Sequence, residues 1–258
     1  MSTIHTVFER GKRPALIPYV TAGYPSVEAT LKVVPLLADC GCDMVELGIP
    51  FSDPIADGVT IQRATFSALQ NGVTPQVCLD IARELRRNVS IPLLFMSYFN
   101  PIYRYGIQQF CDTSTGSGVD GLIIPDLPPE EGVELETATR DSDLDLVYLL
   151  TPTSTVERIK MVAERSRGFI YLVSVTGVTG ARDVLPEDLD VFVSRVRGIA
   201  QQPLCLGFGI STPGQAKMVA RLADGVIVGS KIIQLMEKDS SLSSVSDFMR
   251  SLRKAIDK

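Results

Sequence analysis

Eight short apolar runs, helix-period segments between them, and glycine-bearing turns after the last two predict an α/β chain closed into a parallel (β/α)8 barrel. The runs occupy residues 15–20, 43–49, 91–96, 121–125, 146–150, 169–174, 204–208 and 225–228. They are rich in Val, Ile, Leu and Tyr and read as nearly continuous hydrophobic stretches, as parallel strands covered on both faces do. No hairpin turn signal joins one run to the next, which argues against an antiparallel sandwich. An open doubly wound sheet more typically has about five or six strands, so a closed barrel is preferred. Residues 1–258 are read as one domain, with an N-terminal helix ahead of the first strand.

The intervening segments carry helical periodicity and caps. Residues 26–39 place Val27, Thr30, Leu31, Val34, Leu37 and Ala38 on one stripe behind a Ser26 cap, and residues 155–166 open at Ser154 or Thr155. Two connections, 50–90 after strand two and 175–190 after strand six, exceed what a plain barrel needs. Extra length after a strand is where barrel enzymes place function.

Composition narrows the class. The apolar fraction is 45% and the charged fraction 21%, near the averages for globular chains. A net charge of -5 and a pI near 5.0 leave no basic field for nucleic acid or an anionic membrane, so a small ligand is expected. No apolar run approaches the roughly 20 residues that span a bilayer, and residues 1–14 contain charges in place of a signal-peptide core; a cytoplasmic location, or an organelle-resident mature form, is expected. Cys40, Cys42, Cys78, Cys111 and Cys205 are odd in number and sit mostly in apolar periodic segments, which suits reduced core thiols. His5, the only histidine, lies far from every strand end, which argues against Ser/His machinery and multi-His metal sites.

The most informative segment is Asp43-Met-Val-Glu-Leu-Gly-Ile-Pro-Phe-Ser-Asp-Pro-Ile-Ala-Asp-Gly58. Glu46 interrupts an apolar strand, in register with Met44 and Gly48, and one of the two parities faces the barrel interior. A buried carboxyl is costly unless paired or functional, and burial moves its pKa toward the range of a general acid or base. A salt-bridged structural Glu is the alternative. Asp53 and Asp57 follow in the loop, where an Asp beside Pro or Gly serves equally well as a turn former.

Leu206-Gly-Phe-Gly-Ile-Ser-Thr-Pro-Gly214 and Asp224-Gly-Val-Ile-Val-Gly-Ser-Lys231 end strands seven and eight. Gly207 and Gly209 permit close backbone approach, and Ser211 or Thr212 caps the next helix. Two such turns, each leading to a helix N-terminus, suit a phosphate cradle, with Gly180 as a possible third donor; relief of crowding is the alternative for either turn alone. Residues 174–183 combine hydroxyls, glycines and charge as a lid would, or as a merely mobile loop would. Tyr19, Tyr98, Tyr171, Phe51 and Phe208 lie near strand ends, where they line a pocket or fill the core; Tyr19 and Tyr171 are the better pocket candidates.

Pro18-Tyr-Val-Thr-Ala-Gly23, Val45 through Gly58, Gly177-Val-Thr-Gly180 and Gly207-Phe-Gly-Ile-Ser211 together resemble the tryptophan synthase α subunit family, and the resemblance runs end to end. It implies a TIM barrel that reversibly cleaves indole-3-glycerol phosphate to indole and glyceraldehyde 3-phosphate by a retro-aldol reaction. Glu46 matches the family's proton-transfer residue and Asp57 the carboxylate that receives the indole N–H. Gly180, Gly209, Gly229 and Ser230 match the phosphate site, Tyr19 and Tyr171 the aromatic positions around the substrate, and Thr179 a lid residue. The resemblance implies no metal or organic cofactor in this chain. It also implies an α2β2 heterotetramer whose β subunit carries pyridoxal phosphate and takes the indole. Asp53 and Pro54 then belong to the interface. Lys231 and Val175 depart from the family pattern without touching the proposed catalytic pair.

Three other functions stay in view: a stand-alone indole-3-glycerol phosphate lyase that releases indole, a sugar-phosphate isomerase on the same barrel, and a regulatory binding subunit. The segment after strand two argues against the isomerase, and the presence of both Glu46 and Asp57 argues against pure regulation.

Overall fold

The computed structural model describes residues 3–10, 13–173, 188–207 and 209–257. Its strands are β1 (Ala15–Thr21), β2 (Val45–Gly48), β3 (Leu93–Met96), β4 (Gly121–Ile123), β5 (Asp145–Val147), β6 (Leu149–Leu150), β7 (Ile170–Val173), β8 (Leu204–Gly207) and β9 (Gly225–Val228). All pairs are parallel, in the order β5-β4-β3-β2-β1-β9-β8-β7-β6. The predicted fifth strand is thus two short strands, which carry the nearly closed barrel from β4 across to β7. The break falls at Tyr148, whose N–H donates to the Ser166 hydroxyl (3.1 Å) instead of to a neighbouring strand.

Twelve α-helices surround the strands among the described residues. Helix α1 (Thr3–Arg10) precedes β1 and α2 (Val27–Asp39) follows it, with Ser26 accepting from the Ala29 N–H as its cap. Residues 50–90 prove to be largely helical, as α3 (Val59–Gln70) and α4 (Pro75–Leu85). Next come α5 (Phe99–Tyr105), α6 (Ile107–Gly116), α7 (Val133–Asp141) and α8 (Val156–Arg165), the last capped by Thr155. Then α9 (Leu189–Arg197), α10 (Pro213–Ala220), α11 (Ser230–Lys238) and α12 (Ser243–Ile256) complete the chain. No helix of the described residues is long and apolar enough to cross a membrane.

Strand alternation sorts the core into two layers. Leu16, Val20, Val45, Leu47, Leu93 and Phe95 pack outward against the helices. Ala15, Ile17, Met44, Leu94, Ile123, Val147, Phe169, Cys205 and Ile227 fill the lumen. Ile4 of α1 joins the lumen group at 0% exposure, and Phe8 meets Phe169 at 6.2 Å, so α1 plugs the end where the strands begin. Burying Ile4 alone is worth about 1.5–3 kcal/mol. With that end stoppered, the lumen is open toward the strands' C-terminal ends. All five cysteines are buried thiols, and His5 on α1 faces Glu9 at 3.2 Å.

Candidate active site

Met44 lies in the lumen, so the alternation of β2 turns Glu46 and Gly48 inward as well. Glu46 is paired in register with Tyr19 of β1 and Leu94 of β3. It is completely buried, and neither carboxylate oxygen has a hydrogen-bond partner among the described residues. Desolvation therefore dominates, and burial pushes its pKa up from 4.5 to about 8. No cation among the described residues pairs with it, which argues against the alternative of a salt-bridged structural Glu.

Two tyrosines fill the lumen beside Glu46 because glycines make room for them. A Cβ on Gly48 would lie 2.0 Å from the Tyr19 hydroxyl, and one on Gly207 would lie 2.5 Å from that of Tyr171. Burial raises the pKa of both phenols, with the Glu46 and Asp57 carboxylates adding to it, so both stay protonated at neutral pH.

Asp57 comes from the loop between β2 and α3. Its N–H donates to the Pro54 carbonyl (3.1 Å), and its own carbonyl accepts from the Gln62 side chain (2.8 Å). These contacts fold the loop back over the barrel mouth. Desolvation raises the Asp57 pKa to about 6 while a hydrogen bond from Tyr98 opposes the rise. At pH 7 the two carboxyls thus divide: Glu46 is mainly protonated and Asp57 mainly ionised.

Both open into one cavity of about 370 Å³, within the range of small-molecule sites. Tyr19, Tyr171, Gly209, Gly229 and Ser230 line it, together with Met96, Ile61, Val173, Ile210 and Ile227. The last five are apolar residues that the sequence reading did not single out. Three of them follow from strand parity: Met96 and Val173 sit one alternate position beyond lumen residues Leu94 and Tyr171, and Ile227 one beyond Gly225, whose Cβ would meet the lumen residues Cys205 and Ile17.

The two expected helix N-termini are not equivalent. On α10, Thr212 accepts from the Gln215 N–H while the Gln215 side chain accepts from the N–H groups of Ser211 and Thr212, a closed capping box. The start of α11 has only Gly229 as its cap, with no side-chain hydrogen bond. Its first-turn N–H groups and the positive end of its dipole are the available anion site. Gly209 leaves open space opposite. Thr179, Gly180, Val175 and Phe208 lie outside the described residues.

Asp53 and Pro54 are not in this cavity. They line a surface groove of about 680 Å³ with Phe51, Val59, Arg63 and Phe66. Ile55, Val59 and Phe66 beside it are 84%, 62% and 63% exposed, an unusual grouping of large apolar side chains in water. No group of three or more His, Cys, Asp or Glu side chains among the described residues is placed to hold a metal ion.

Comparison with known proteins accords with this geometry. A model of the family "Tryptophan synthase alpha chain" matches residues 6–256. A tryptophan synthase alpha chain of Dehalococcoides mccartyi is 58% identical over 257 residues, covering 100% of both chains. One from Geobacter sp. is 48% identical over 251 residues, 96% of this chain and 94% of its own. Among solved structures, the tryptophan synthase subunit alpha of Legionella pneumophila superposes with a TM-score of 0.93 at 34% identity, over 100% of this chain and 99% of its own. Mycobacterium tuberculosis tryptophan synthase gives 0.93 at 36% identity, over 99% and 98%. Both the fold and the sequence over nearly its whole length place this chain in the tryptophan synthase alpha chain family.

Proposed function

We propose that this lyase cleaves indole-3-glycerol phosphate reversibly to indole and glyceraldehyde 3-phosphate, with Glu46 and Asp57 as its catalytic residues. The observation that carries the reading is that a fully buried Glu46, without a hydrogen-bond partner among the described residues, and a half-buried Asp57 open into one cavity, where burial pushes the Glu46 pKa up to about 8 and that of Asp57 only to about 6. Cleavage requires a proton on the indole ring carbon and removal of one from the glycerol hydroxyl. Glu46 gives its proton to the carbon, and the carboxylate so formed takes the hydroxyl proton as the carbon–carbon bond breaks and its electrons return to the ring. Glu46 ends protonated, as it began. Asp57 accepts the indole N–H and stabilises the positive charge that grows on the ring after protonation. The phosphate lies against the open start of α11, at Gly229 and Ser230, with Gly209 opposite. Tyr19, Tyr171 and the apolar lining surround the ring. No step calls for a metal or organic cofactor in this chain.

The groove of Phe51, Asp53, Pro54 and Phe66 is assigned to a tryptophan synthase β subunit, which takes up the indole in an α2β2 assembly. Its support is the exposed apolar side chains at its rim and the resemblance of the Phe51-Ser-Asp-Pro54 loop to the family's communicating surface. The test is indole release from indole-3-glycerol phosphate by wild type and Glu46→Gln, each with and without a β subunit. Release that rises strongly with β and vanishes in Glu46→Gln is expected. Fast release by the chain alone would support the stand-alone lyase, and activity retained in Glu46→Gln would refute the mechanism.

A further inference from the structure

We propose that Tyr98 is a positioning residue for Asp57: its buried hydroxyl accepts the Ala56 N–H, donates to the Asp57 carboxylate, and so fixes that carboxylate over the cavity. The inference rests on the lyase reading above and names a group through which one of its catalytic residues acts.

Tyr98 is rigidly mounted. It ends the β3 connection as the N-cap residue of α5, and only 6% of it is exposed. Its carbonyl accepts from the Ser97 hydroxyl (2.9 Å), and the next N–H, of Phe99, donates to Asp126 (2.9 Å). Its ring packs on Phe51 at 5.4 Å. The loop carrying Asp57 is the opposite case: Ser52, Asp53, Ile55 and Ala56 are exposed and belong to no helix or strand. That loop wraps the tyrosine, with Phe51 on the ring and Ala56 at the hydroxyl, 2.9 Å from its N–H.

A phenol offers one donor and two acceptor sites. With the Ala56 N–H accepted, the donor is free for the Asp57 carboxylate, which lines the same small cavity as Tyr98. A bond to the ionised form favours it, so Tyr98 keeps Asp57 lower than burial alone would. The titratable groups around Asp57 are Glu46 from β2, Tyr19 from β1, Tyr171 from β7 and Tyr98 itself, with Asp126 acting on Tyr98 from beyond β4. All are acids, so among the described residues none replaces the lost stabilisation when the hydroxyl is removed. Because Phe51 also lines the outer groove, the Tyr98 ring joins the partner-facing surface to the catalytic carboxylate.

The test measures kcat/KM for indole release from indole-3-glycerol phosphate between pH 5 and 9 by the full chain with its β subunit. Four proteins are compared: wild type, Tyr98→Phe, Asp57→Asn and the double variant. Asp57 must be ionised, so activity rises with pH through its pKa. Tyr98→Phe keeps the ring against Phe51, lowers kcat/KM roughly 10- to 100-fold, and moves the acidic limb up by about one pH unit. In the Asp57→Asn background the same change has less than about a twofold effect. Placing 2,3-difluorotyrosine at position 98 strengthens the donor without changing the ring's shape and moves the limb down. An active wild type whose limb stays put in both tyrosine variants, or an equal loss in the Asp57→Asn background, would overturn the role of Tyr98. A wild type inactive at every pH would overturn the lyase reading itself.

Discussion

Replacing Glu46 by Gln should make the protein more stable at neutral pH, by an amount that depends on pH in a defined way. The carboxyl is fully buried and has no hydrogen-bond partner among the described residues, and its pKa is raised from 4.5 to about 8. For a raised acid the native state holds its proton more tightly than the unfolded chain does. Stability from this group is complete below pH 4.5 and is lost as pH climbs toward 8. The loss is about 1.4 kcal/mol per pH unit, so it reaches about 3 kcal/mol at pH 7 and about 5 kcal/mol above pH 8. Gln carries no ionisable proton and suffers no such loss. Thermal melts of wild type and Glu46→Gln at pH 4.5, 7 and 8.5 check this directly. The curves should nearly coincide at pH 4.5, and the variant should melt roughly 6–12 °C higher at pH 7. Parallel melting at all three pH values would show that Glu46 is solvated or paired in solution, and the acid role given to it would fall with that result.

Asp57→Asn, which keeps the shape and removes the charge, should lower kcat/KM for indole release roughly 100- to 1,000-fold at pH 7 in a steady-state assay. Gly48→Ala puts a methyl 2.0 Å from the Tyr19 hydroxyl; the forced shift should cost about 1–3 kcal/mol in a urea melt and raise KM. Phe66→Ser removes an apolar side chain that is 63% exposed in the groove. It should weaken β-subunit binding about tenfold in a titration while leaving the melting of the isolated chain within about 0.5 kcal/mol of wild type. Arg253→Ala removes one of the two arginines paired with Asp43 (2.8 Å), leaving Arg13 at 3.2 Å, and frees the Pro14 carbonyl; it should cost about 1–3 kcal/mol by urea melt.

Much of this architecture is legible in the residues because parallel strands are buried on both faces, and continuous apolar runs mark them. The break at Tyr148 is not, since it depends on a serine 18 residues further on capturing one N–H. Glu46 announces itself as a charge in an apolar run, but its direction rests on parity, which only the fold decides. Asp57 has no local mark: beside Gly58 it looks like any turn former, and the resemblance, not its surroundings, identifies it. Tyr98 is less legible still, because its partner Ala56 lies 42 residues away and an aromatic at a strand end serves a core as readily as a site. One signal was present and usable. Thr212-Pro-Gly-Gln215 has the spacing of a capping box, which satisfies its own helix start and leaves α11 as the stronger anion site.

In the mechanism proposed above, the resting protonation of the pair decides the order of events. With Glu46 protonated and Asp57 ionised, proton delivery to the ring carbon comes first, and only then does the cavity hold a base for the glycerol hydroxyl. The reverse arrangement would place an anion beside the carbon that must receive a proton and leave the ring N–H without an acceptor. Glu46 stays protonated because β1, β7 and their facing glycines surround it with two phenols that themselves remain neutral, and because the lumen beneath it is closed by α1. Asp57 ionises because it sits at the rim, within reach of a hydroxyl that favours its charge. The two roles therefore follow from depth in one barrel: the acid is the carboxyl sealed in the lumen, and the anion is the one brought to its mouth by a loop.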